Sequence, residues 1–250
     1  MNFFRPSPLP EIAPIALPGG GSIAVSLRRS ARAQRMALRL HPARRAVELV
    51  LPGRASIARA LDFLKDREGW IVAQALRLPP AVPFVDGAEI PILGVPHRLH
   101  AAARQPGAPP FRIADGRIEV TGQPEFIARR TRAGLAAHAR RLLSDKTAAM
   151  AARIGRTPGR ISVGDAATRW GSCAASCNIK YSWRLVLAPE RVLDYVVAHE
   201  VAHLAEMNHS SRFWRLVETL HPGLEAERDW LKRHGAQLLG YGLGAADPAG

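Results

Sequence analysis

The chain has 250 residues and a formal net charge of +14, and 47% of its residues are hydrophobic. This length allows one large domain or two small ones, with enough apolar residues for a sizeable core. No run reaches the roughly 20 apolar residues that a membrane helix requires. Residues 1–21 are proline-rich, lack the apolar segment of a signal peptide, and are predicted to be a flexible leader. Because Cys173 and Cys177 are too few for a disulfide framework, we expect a cytoplasmic protein with reduced thiols.

The positive charge comes almost entirely from arginine, and the densest cluster lies in residues 28–45. Such a cluster is compatible with nucleic-acid binding. The arginines are, however, spread over most of a chain that is also rich in alanine and glycine, which indicates compositional bias. We therefore expect mainly solvated surface charge, with a weak nucleic-acid association as the alternative.

The first half of the chain, residues 22–122, is predicted to be strand-rich with one helix. Residues 22–27, 36–41 and 46–52 alternate between apolar and polar side chains, and turn-like segments separate them. This period-two pattern predicts an antiparallel meander. The helix is predicted over residues 56–78, where the spacing of apolar residues is helical and the first residue is a serine suited to an N-cap.

Further short strands and one long helix are predicted next. Runs punctuated by glycine and proline at residues 88–94 and 97–102, with others through Val120, are typical of strands. The long helix is predicted between Pro124, which suits a first helical turn, and Gly155, which suits the position after a helix end.

The second half of the chain is predicted to be rich in helices. Residues 159–164 and 178–188 have strand patterns, and residues 165–177 between them are predicted to form a loop. Helices are predicted from Pro189 and Glu190 through His199, over residues 211–220 and over residues 224–239. Residues 241–250 are predicted to be a flexible tail. No internal repeat or low-complexity linker is visible in the sequence.

The stretch HEVAH, residues 199–203, has the spacing of a metal-binding helix. Residues four apart in an α-helix lie on one face, about 6 Å apart along the axis, so His199 and His203 can bind the same ion. Glu200 is rotated by about 100° from His199 and can reach a water on that ion without being a ligand. This arrangement is typical of hydrolytic zinc sites, in which Zn²⁺ acidifies a water and the glutamate accepts its proton.

A catalytic zinc usually has three protein ligands, and two candidates for the third lie close by. In an unbroken helix Glu206 shares the histidine face, but it lies about 10 Å from His199 along the axis, too far for one ion. In the same unbroken helix, His209 points to the wrong side. His221 and Glu218 are weaker alternatives.

A helix break would allow His209 to serve as the third ligand. If the helix ends at about residues 206–208, the chain can turn back toward the metal. Asn208 tolerates the left-handed conformation of a helix end, and Ser210 or Ser211 can cap a new helix. We therefore predict that His209 is the third ligand.

Two other readings of the histidines are open. They could be surface or core residues without a metal, although three histidines at ligand spacing beside a glutamate make this reading weak. The site could also hold zinc for structure only, with Cys173 and Cys177 as further ligands. A C-x3-C spacing is a weak zinc pattern, and buried thiols explain it better.

Several motifs resemble the YgjP-like (WLM-related) zinc metallopeptidase family, minimal zincins related to the SprT-like proteases. They are TRWGSC at residues 168–173, NIKYSWRLVLAP at 178–189, LDYVVAHEVAHLAEMNHSSRFW at 193–214 and RRSARAQRMALRL at 28–40. The resemblance runs from about residue 23 to residue 241. It departs from the family pattern at Val201, where leucine is more usual, and in CAASCN at residues 173–178.

The resemblance implies an α+β fold with a zincin-like metalloprotease core, in which helices pack on a mixed or antiparallel sheet. It places the catalytic region in residues 123–240, beyond the strand-rich N-terminal half. It further implies one Zn²⁺ per chain bound by His199, His203 and His209, with Glu200 as the general base and a peptide or protein as substrate. Rival functions are a DNA-associated SprT-like protein that acts mainly by binding, and a non-catalytic zinc-binding module.

Motifs around the histidines suggest how a substrate would be held. Zincins commonly bind the substrate as an added strand at a sheet edge, and residues 178–188 are a candidate for that sheet. Arg169 or Tyr181 is a candidate for stabilising an oxyanion. Packing and pairing that hold the TRWGSC loop are at least as good an explanation of Arg169 and Trp170. We expect Trp183, Phe213, Trp214 and Trp230 to be core residues.

Overall fold

A computed structural model describes residues 9–103, 107, 109–165 and 169–243. It is a mixed α+β structure, as predicted, and it divides into two compact units, Met1–Pro79 and Pro80–Gly250. The predicted change from a strand-rich to a helix-rich region, near residue 122, therefore lies inside the second unit. Residues 1–8 of the predicted leader and 244–250 of the predicted tail lie outside the described residues. None of the helices described is long and apolar enough to cross a membrane.

The first unit consists of a four-stranded sheet and two helices. Its elements are β1 (Ile12–Ala16), β2 (Ser22–Ser30), β3 (Ala37–His41), β4 (Ala46–Pro52), α1 (Ile57–Asp66) and α2 (Glu68–Leu76), with a 3-10 turn at Pro42–Arg44. The sheet order is β1-β2-β4-β3. Part of the expected leader thus forms a strand, since β1 pairs antiparallel with β2. The predicted helix over residues 56–78 is present but divided at Arg67, and the Ser56 side chain caps it by accepting a hydrogen bond from the Arg59 N–H at 3.2 Å.

The predicted antiparallel meander is wrong. The strands themselves are where the alternation placed them, but β2 pairs in parallel with β4, and β3 pairs antiparallel with β4 at the sheet edge. The physical reason is burial. Strand β4 contains the buried Val47, Leu49, Val50 and Leu51, so it is the strand that gains most from a central position with neighbours on both sides.

Arginines of the basic cluster make structural contacts inside this unit. The Arg28 Nε donates to Glu48 Oε1 at 2.9 Å, and the Arg29 guanidinium donates to the carbonyls of Gly53 and Ala55 at 3.0 and 2.8 Å. Further along, Arg45 donates to a carbonyl oxygen at 2.7 Å. These three arginines therefore have hydrogen-bond partners within the unit.

The second unit begins with a sheet of the same topology. Its elements are β5 (Glu89–Ile92), β6 (Val95–Ala102), β7 (Phe111–Ala114), β8 (Arg117–Thr121) and α3 (Pro124–Arg153). The sheet order is β5-β6-β8-β7, with β6 and β8 parallel and both outer pairs antiparallel. The two four-stranded sheets therefore have the same strand order and the same strand directions, and in each unit a helix follows the sheet. No repeat is visible in the sequence.

The long helix α3 agrees with the prediction at both ends. Pro124 is its first residue, and Gly155 follows it with φ +61°. Its buried positions recur every fourth residue, at Ile127, Thr131, Leu135, Ala139, Leu143, Thr147 and Ala151. This spacing produces one apolar stripe along the helix, which packs against the rest of the unit.

The remaining elements form a three-stranded sheet and three helices. They are β9 (Ile161–Gly164), β10 (Gly171–Cys173), β11 (Ile179–Ser182), a 3-10 helix (Trp183–Leu187), α4 (Glu190–Ala202), α5 (Ser211–Leu220) and α6 (Glu225–Leu238). The sheet order is β10-β11-β9. Two expectations need correction: the strand predicted over residues 178–188 ends at Ser182, and the loop predicted over residues 165–177 contains β10. Helix α4 packs against α3, α5, α6 and β10, and this central position makes most of it buried.

Candidate metal centre

The helix that carries the first histidine ends earlier than predicted. Helix α4 stops at Ala202, and the next turn is closed by hydrogen bonds from the N–H groups of Leu204 and Ala205 to carbonyls three residues back, at 2.9 and 3.1 Å. The break therefore precedes the predicted residues 206–208. Asn208 is not left-handed either, but its side-chain oxygen accepts a hydrogen bond from the Ser210 N–H at 3.2 Å. This turn reverses the chain between α4 and α5.

The reversal brings the three histidines of the motif together. The ligand nitrogens of His199, His203 and His209 all lie within 4.8 Å of one another. The Nε2 atoms of His199 and His209 are 3.2 Å apart. His203 is the C-cap residue of α4, and His209 directly precedes Ser210, the N-cap of α5. One side chain thus comes from a helix, one from its end and one from the returning chain.

The protonation of His203 is set by the same turn. Its Nδ1 lies 3.1 Å from the backbone oxygen of Glu206. Because a carbonyl oxygen can only accept, Nδ1 carries the proton and donates, which leaves Nε2 with its lone pair available. A backbone acceptor of this kind is the usual way in which a metal-binding imidazole is oriented.

The donor set fits zinc. Imidazole nitrogens about 2.0–2.1 Å from a tetrahedral zinc are about 3.3 Å apart, close to the 3.2 Å between His199 and His209. Burial lowers the pKa of His199 to about 4, with His203 and His209 adding to the effect, so this ring is neutral at pH 7 as a ligand must be. Among the described residues, no fourth protein ligand joins the three imidazoles, and such a set is typical of a catalytic zinc rather than a structural one.

The Phe213 ring packs against the imidazole rings of all three histidines. Its ring centroid lies 5.0 Å from that of His199, 4.5 Å from that of His203 and 4.7 Å from that of His209. Phe213 is fully buried, and Trp214 stacks on His209 at 5.8 Å. Sequence reasoning had treated both aromatic residues as core. Their position in the first turn of α5, a few residues after His209, was the signal for a role at the site.

Glu200 lies beside the three imidazoles but is not one of the clustered groups. Its side chain is buried, and within the described residues its Oε2 has no hydrogen-bond partner. Burial raises the pKa of the Glu200 carboxyl to about 7, while the Arg169 guanidinium opposes that rise. A carboxyl group with a pKa near neutrality is suited to accepting and returning a proton at pH 7.

A pocket of about 330 Å³ opens over Glu200 and the histidines. Its wall on the opposite side is formed by β10 and by Arg169, which precedes it in the chain. Gly171 of β10 lies directly against Glu200, and sequence reasoning did not identify it. The glycine of the TRWGSC motif was the available signal.

Arg169 and Tyr181, the two oxyanion candidates, have different surroundings. Arg169 is exposed and lines the pocket. Tyr181 is fully buried, and its hydroxyl lies 3.0 Å from Thr147 Oγ1 on α3. Burial raises the pKa of Tyr181 well above its ordinary value. The structure therefore brings Arg169 to the site and directs Tyr181 into the core.

Contacts hold the described residues on each side of residues 166–168. Before them, Asp165 pairs with the buried Arg184 of the 3-10 helix. After them, the Trp170 carbonyl accepts a hydrogen bond from the Ser182 N–H at 2.9 Å, and the Trp170 ring packs against Gly235 of α6. These contacts position Arg169 at the pocket. Thr168 of the TRWGSC motif lies outside the described residues.

The other candidate ligands lie outside the histidine cluster, and several of them contact other residues. Glu206 lies 3.7 Å from Arg212, and the Glu218 carboxylate accepts a hydrogen bond from the Gly223 N–H at 3.0 Å. His221 is buried 3.5 Å from Glu227. Within the part of the chain that is described, Cys173 and Cys177 are unpaired thiols outside the histidine cluster.

The strand at the open edge of the sheet is β10. Residues 178–188 were the candidate for the substrate-binding sheet, and their strand β11 does belong to it, but at its centre. Among the described strands β10 pairs only with β11, so its other side is an edge, and residues of β10 line the pocket beside the histidines. An edge strand presents unpaired N–H and C=O groups to which an extended chain can add.

Comparison with known proteins identifies the family. The model of the YgjP-like metallopeptidase domain matches residues 34–234, which include the histidine cluster, Glu200 and β10. No curated protein and no solved structure matches the chain. The match covers most of the chain and agrees with the resemblance expected from the motifs, so the chain belongs to the YgjP-like family of metallopeptidase domains.

Proposed function

We propose that the protein is a zinc-dependent peptidase that hydrolyses peptide bonds with His199, His203 and His209 as metal ligands and Glu200 as the general base. The observation that carries the proposal is the meeting of three imidazoles within 4.8 Å beside a buried glutamate at the base of an open pocket. Family membership supports the reaction class. The zincin-like core, the identity of the metal and the residue roles are part of this proposal.

In the proposed reaction, Glu200 and Arg169 have separate roles beside the metal. When bound, Zn²⁺ would lower the pKa of a water and polarise the carbonyl of the substrate. Glu200 accepts a proton from the attacking water and then donates it to the leaving amine. Its raised pKa supports both steps, because the carboxyl can change protonation state near pH 7. Arg169, exposed on the pocket wall, would stabilise negative charge on the carbonyl oxygen.

The substrate backbone would bind along β10. An extended peptide added to this edge passes the histidine cluster, because β10 and the histidines line the same pocket. Main-chain hydrogen bonds hold such a peptide without specifying its side chains. This placement also accounts for Gly171, since a small residue there leaves room for Glu200 between the strand and α4.

The test compares zinc content and peptide cleavage in wild type and in Glu200→Gln. We expect about one zinc per chain in both proteins. Glutamine keeps the shape of the side chain but cannot accept a proton, so cleavage of a peptide library should fall at least ~10²-fold. Glu225→Gln, an exposed change on α6, is the matched control and should keep full activity. Zinc binding without cleavage of any peptide by wild type would identify a non-catalytic zinc-binding module instead.

A further inference from the structure

A second pocket lies next to the pocket over the histidines. It has a volume of about 450 Å³ and shares Arg169, Ser172 and Cys173 with the first. Its other polar lining includes Arg160 and Lys180. The two pockets therefore meet at β10, with the metal centre on one side of this strand and a basic depression on the other.

Among the described residues that line the basic depression, three are cationic and none is acidic. Arg160, Arg169 and Lys180 are all exposed, and no carboxylate lines the pocket with them. Among the described residues, none of these three side chains has a carboxylate within ion-pair distance. Elsewhere in this protein exposed arginines do find carboxylates, such as Arg28 with Glu48 and Arg112 with Glu119. Cations that line one depression without a carboxylate among them produce a local positive potential that favours an anion.

The pairing of the strands places this depression on a defined face of the sheet. Lys180 lies opposite Ser172 of β10 and Ser162 of β9, while its neighbours Ile179 and Tyr181 are buried on the other face. Residues directly opposite each other in paired strands point to the same face of the sheet, so Ser172 shares the face of Lys180. Gly171, one residue earlier, faces Glu200 on the opposite side. A peptide added to β10 obeys the same alternation.

We propose that the basic depression, in which Arg160 and Lys180 carry the charge and Arg169 lies at the border with the pocket over the histidines, is a specificity subsite for acidic side chains of the peptide substrate. The inference rests on the proposed peptidase function, because it uses the edge of β10 as the backbone site. Residues of the bound peptide alternate between the metal side and the side of Lys180. Aspartate or glutamate residues on the latter side would lie on the face of the sheet that carries Lys180, and arginine and lysine donors form charge-assisted hydrogen bonds with carboxylates that reach them.

A peptide fits this subsite better than a nucleic acid. Sequence-tolerant binding of a single strand relies on aromatic side chains on which bases stack. The part of the lining that the structure describes contains no aromatic residue. It lies instead beside a strand edge whose backbone groups match an extended polypeptide.

The test measures binding separately from catalysis. The full-length Glu200→Gln protein, loaded with zinc, is titrated against fluorescein-labelled peptides of one apolar sequence that carry glutamate, glutamine or lysine at alternate positions. We expect the glutamate peptide to bind about tenfold more tightly than the glutamine peptide, the size of one charge-assisted hydrogen bond, and the lysine peptide to bind most weakly. Raising the salt concentration should reduce this preference.

Charge reversal assigns the preference to the depression. Lys180→Glu and Arg160→Glu, singly and together in the Glu200→Gln protein, should remove the preference for glutamate and favour the lysine peptide. Lys232→Glu on α6 is the matched control, since it changes the net charge equally outside the pocket, and it should keep the preference. Thermal unfolding of each variant verifies its fold, and Arg160→Glu alone tests the idea if Lys180→Glu does not fold.

Different results would contradict the subsite, its peptide occupant or the peptidase function. Equal binding of the glutamate and glutamine peptides, or a preference for glutamate that survives double charge reversal, would overturn the subsite. A single-stranded oligonucleotide that binds more tightly than the glutamate peptide and is lost on charge reversal would replace the peptide as occupant. If wild type cleaves none of the peptides while the preference for glutamate follows the charge-reversal variants, the subsite stands and the peptidase function fails.

Discussion

Gly171 and Glu200 lie so close that any side chain at position 171 would clash with Glu200 unless one of the two residues moved. A β-carbon built on Gly171 would lie 2.5 Å from Glu200 Oε1 and 2.6 Å from its Cγ, well inside the contact distance of real side chains. Glu200 is held by the buried helix α4 and cannot retreat easily. The strand at the pocket wall and the proposed general base thus share a space that a single methyl group would fill.

We predict that Gly171→Ala lowers peptidase activity by about 10²-fold, the effect of losing a positioned base, and leaves the zinc content near that of wild type. The reason is that the methyl group displaces the Glu200 carboxylate but does not touch the histidines. Metal analysis and cleavage assays on the same preparation check both parts. Gly69→Ala in α2, where an added β-carbon has no neighbour within 4 Å, is the control and should keep its activity.

The ligand set predicts different effects for two nearby residues. His209→Ala should remove most of the zinc affinity, because two remaining imidazoles cannot complete a catalytic site. Glu206→Ala should change it little, since Glu206 contributes to the site through its backbone carbonyl, which alanine retains. Zinc titrations against a competing chelator measure both affinities. The ligand assignment fails if Glu206→Ala loses the metal while His209→Ala keeps it.

Packing beneath the histidines leads to a further prediction. Phe213→Leu should weaken zinc binding about tenfold, at the lower end of effects seen for groups that orient metal ligands. The smaller side chain would leave the three imidazole rings less restrained, and stability should fall by roughly 1–2 kcal/mol. Phe84→Leu is the matched control, a buried phenylalanine in contact with Trp183 rather than with the histidines. It should reduce stability to a similar extent and leave zinc affinity unchanged.

The two oxyanion candidates can be separated by mutation. Arg169→Gln should lower kcat about 10²-fold, as the loss of one oxyanion donor typically does. Tyr181→Phe should keep kcat and instead lower the free energy of unfolding by about 1 kcal/mol, because it removes the buried contact with the Thr147 hydroxyl. Steady-state kinetics and denaturant unfolding of the two variants provide the comparison. A large loss of kcat in Tyr181→Phe with normal stability would contradict the buried position of this residue.

Local patterns in the sequence predicted most helices and strands and the members of the histidine cluster. Helix α3 begins at Pro124 and is followed by Gly155, and α5 covers the predicted residues 211–220, because caps and hydrophobic periodicity act within a few residues. The approach of His209 to His199 was also predictable, because a zinc site requires a third ligand and the residues between them can form a turn. The exact turn was not predictable, since Asn208 uses its side chain where a left-handed backbone was expected.

Relationships between distant segments were decided only by the tertiary structure. The alternation in β2, β3 and β4 is the same for a meander and for the observed parallel pairing, and burial of β4 on both sides selects the latter. The contact of Gly171 with Glu200, and the face that carries Lys180 beside Arg160, depend on how β10 meets α4 and β11. The sequence by itself identified the candidates for binding a metal and moving a proton, because those properties belong to side chains at short spacing. The tertiary structure decided what surrounds them, because packing joins residues that are far apart in the chain.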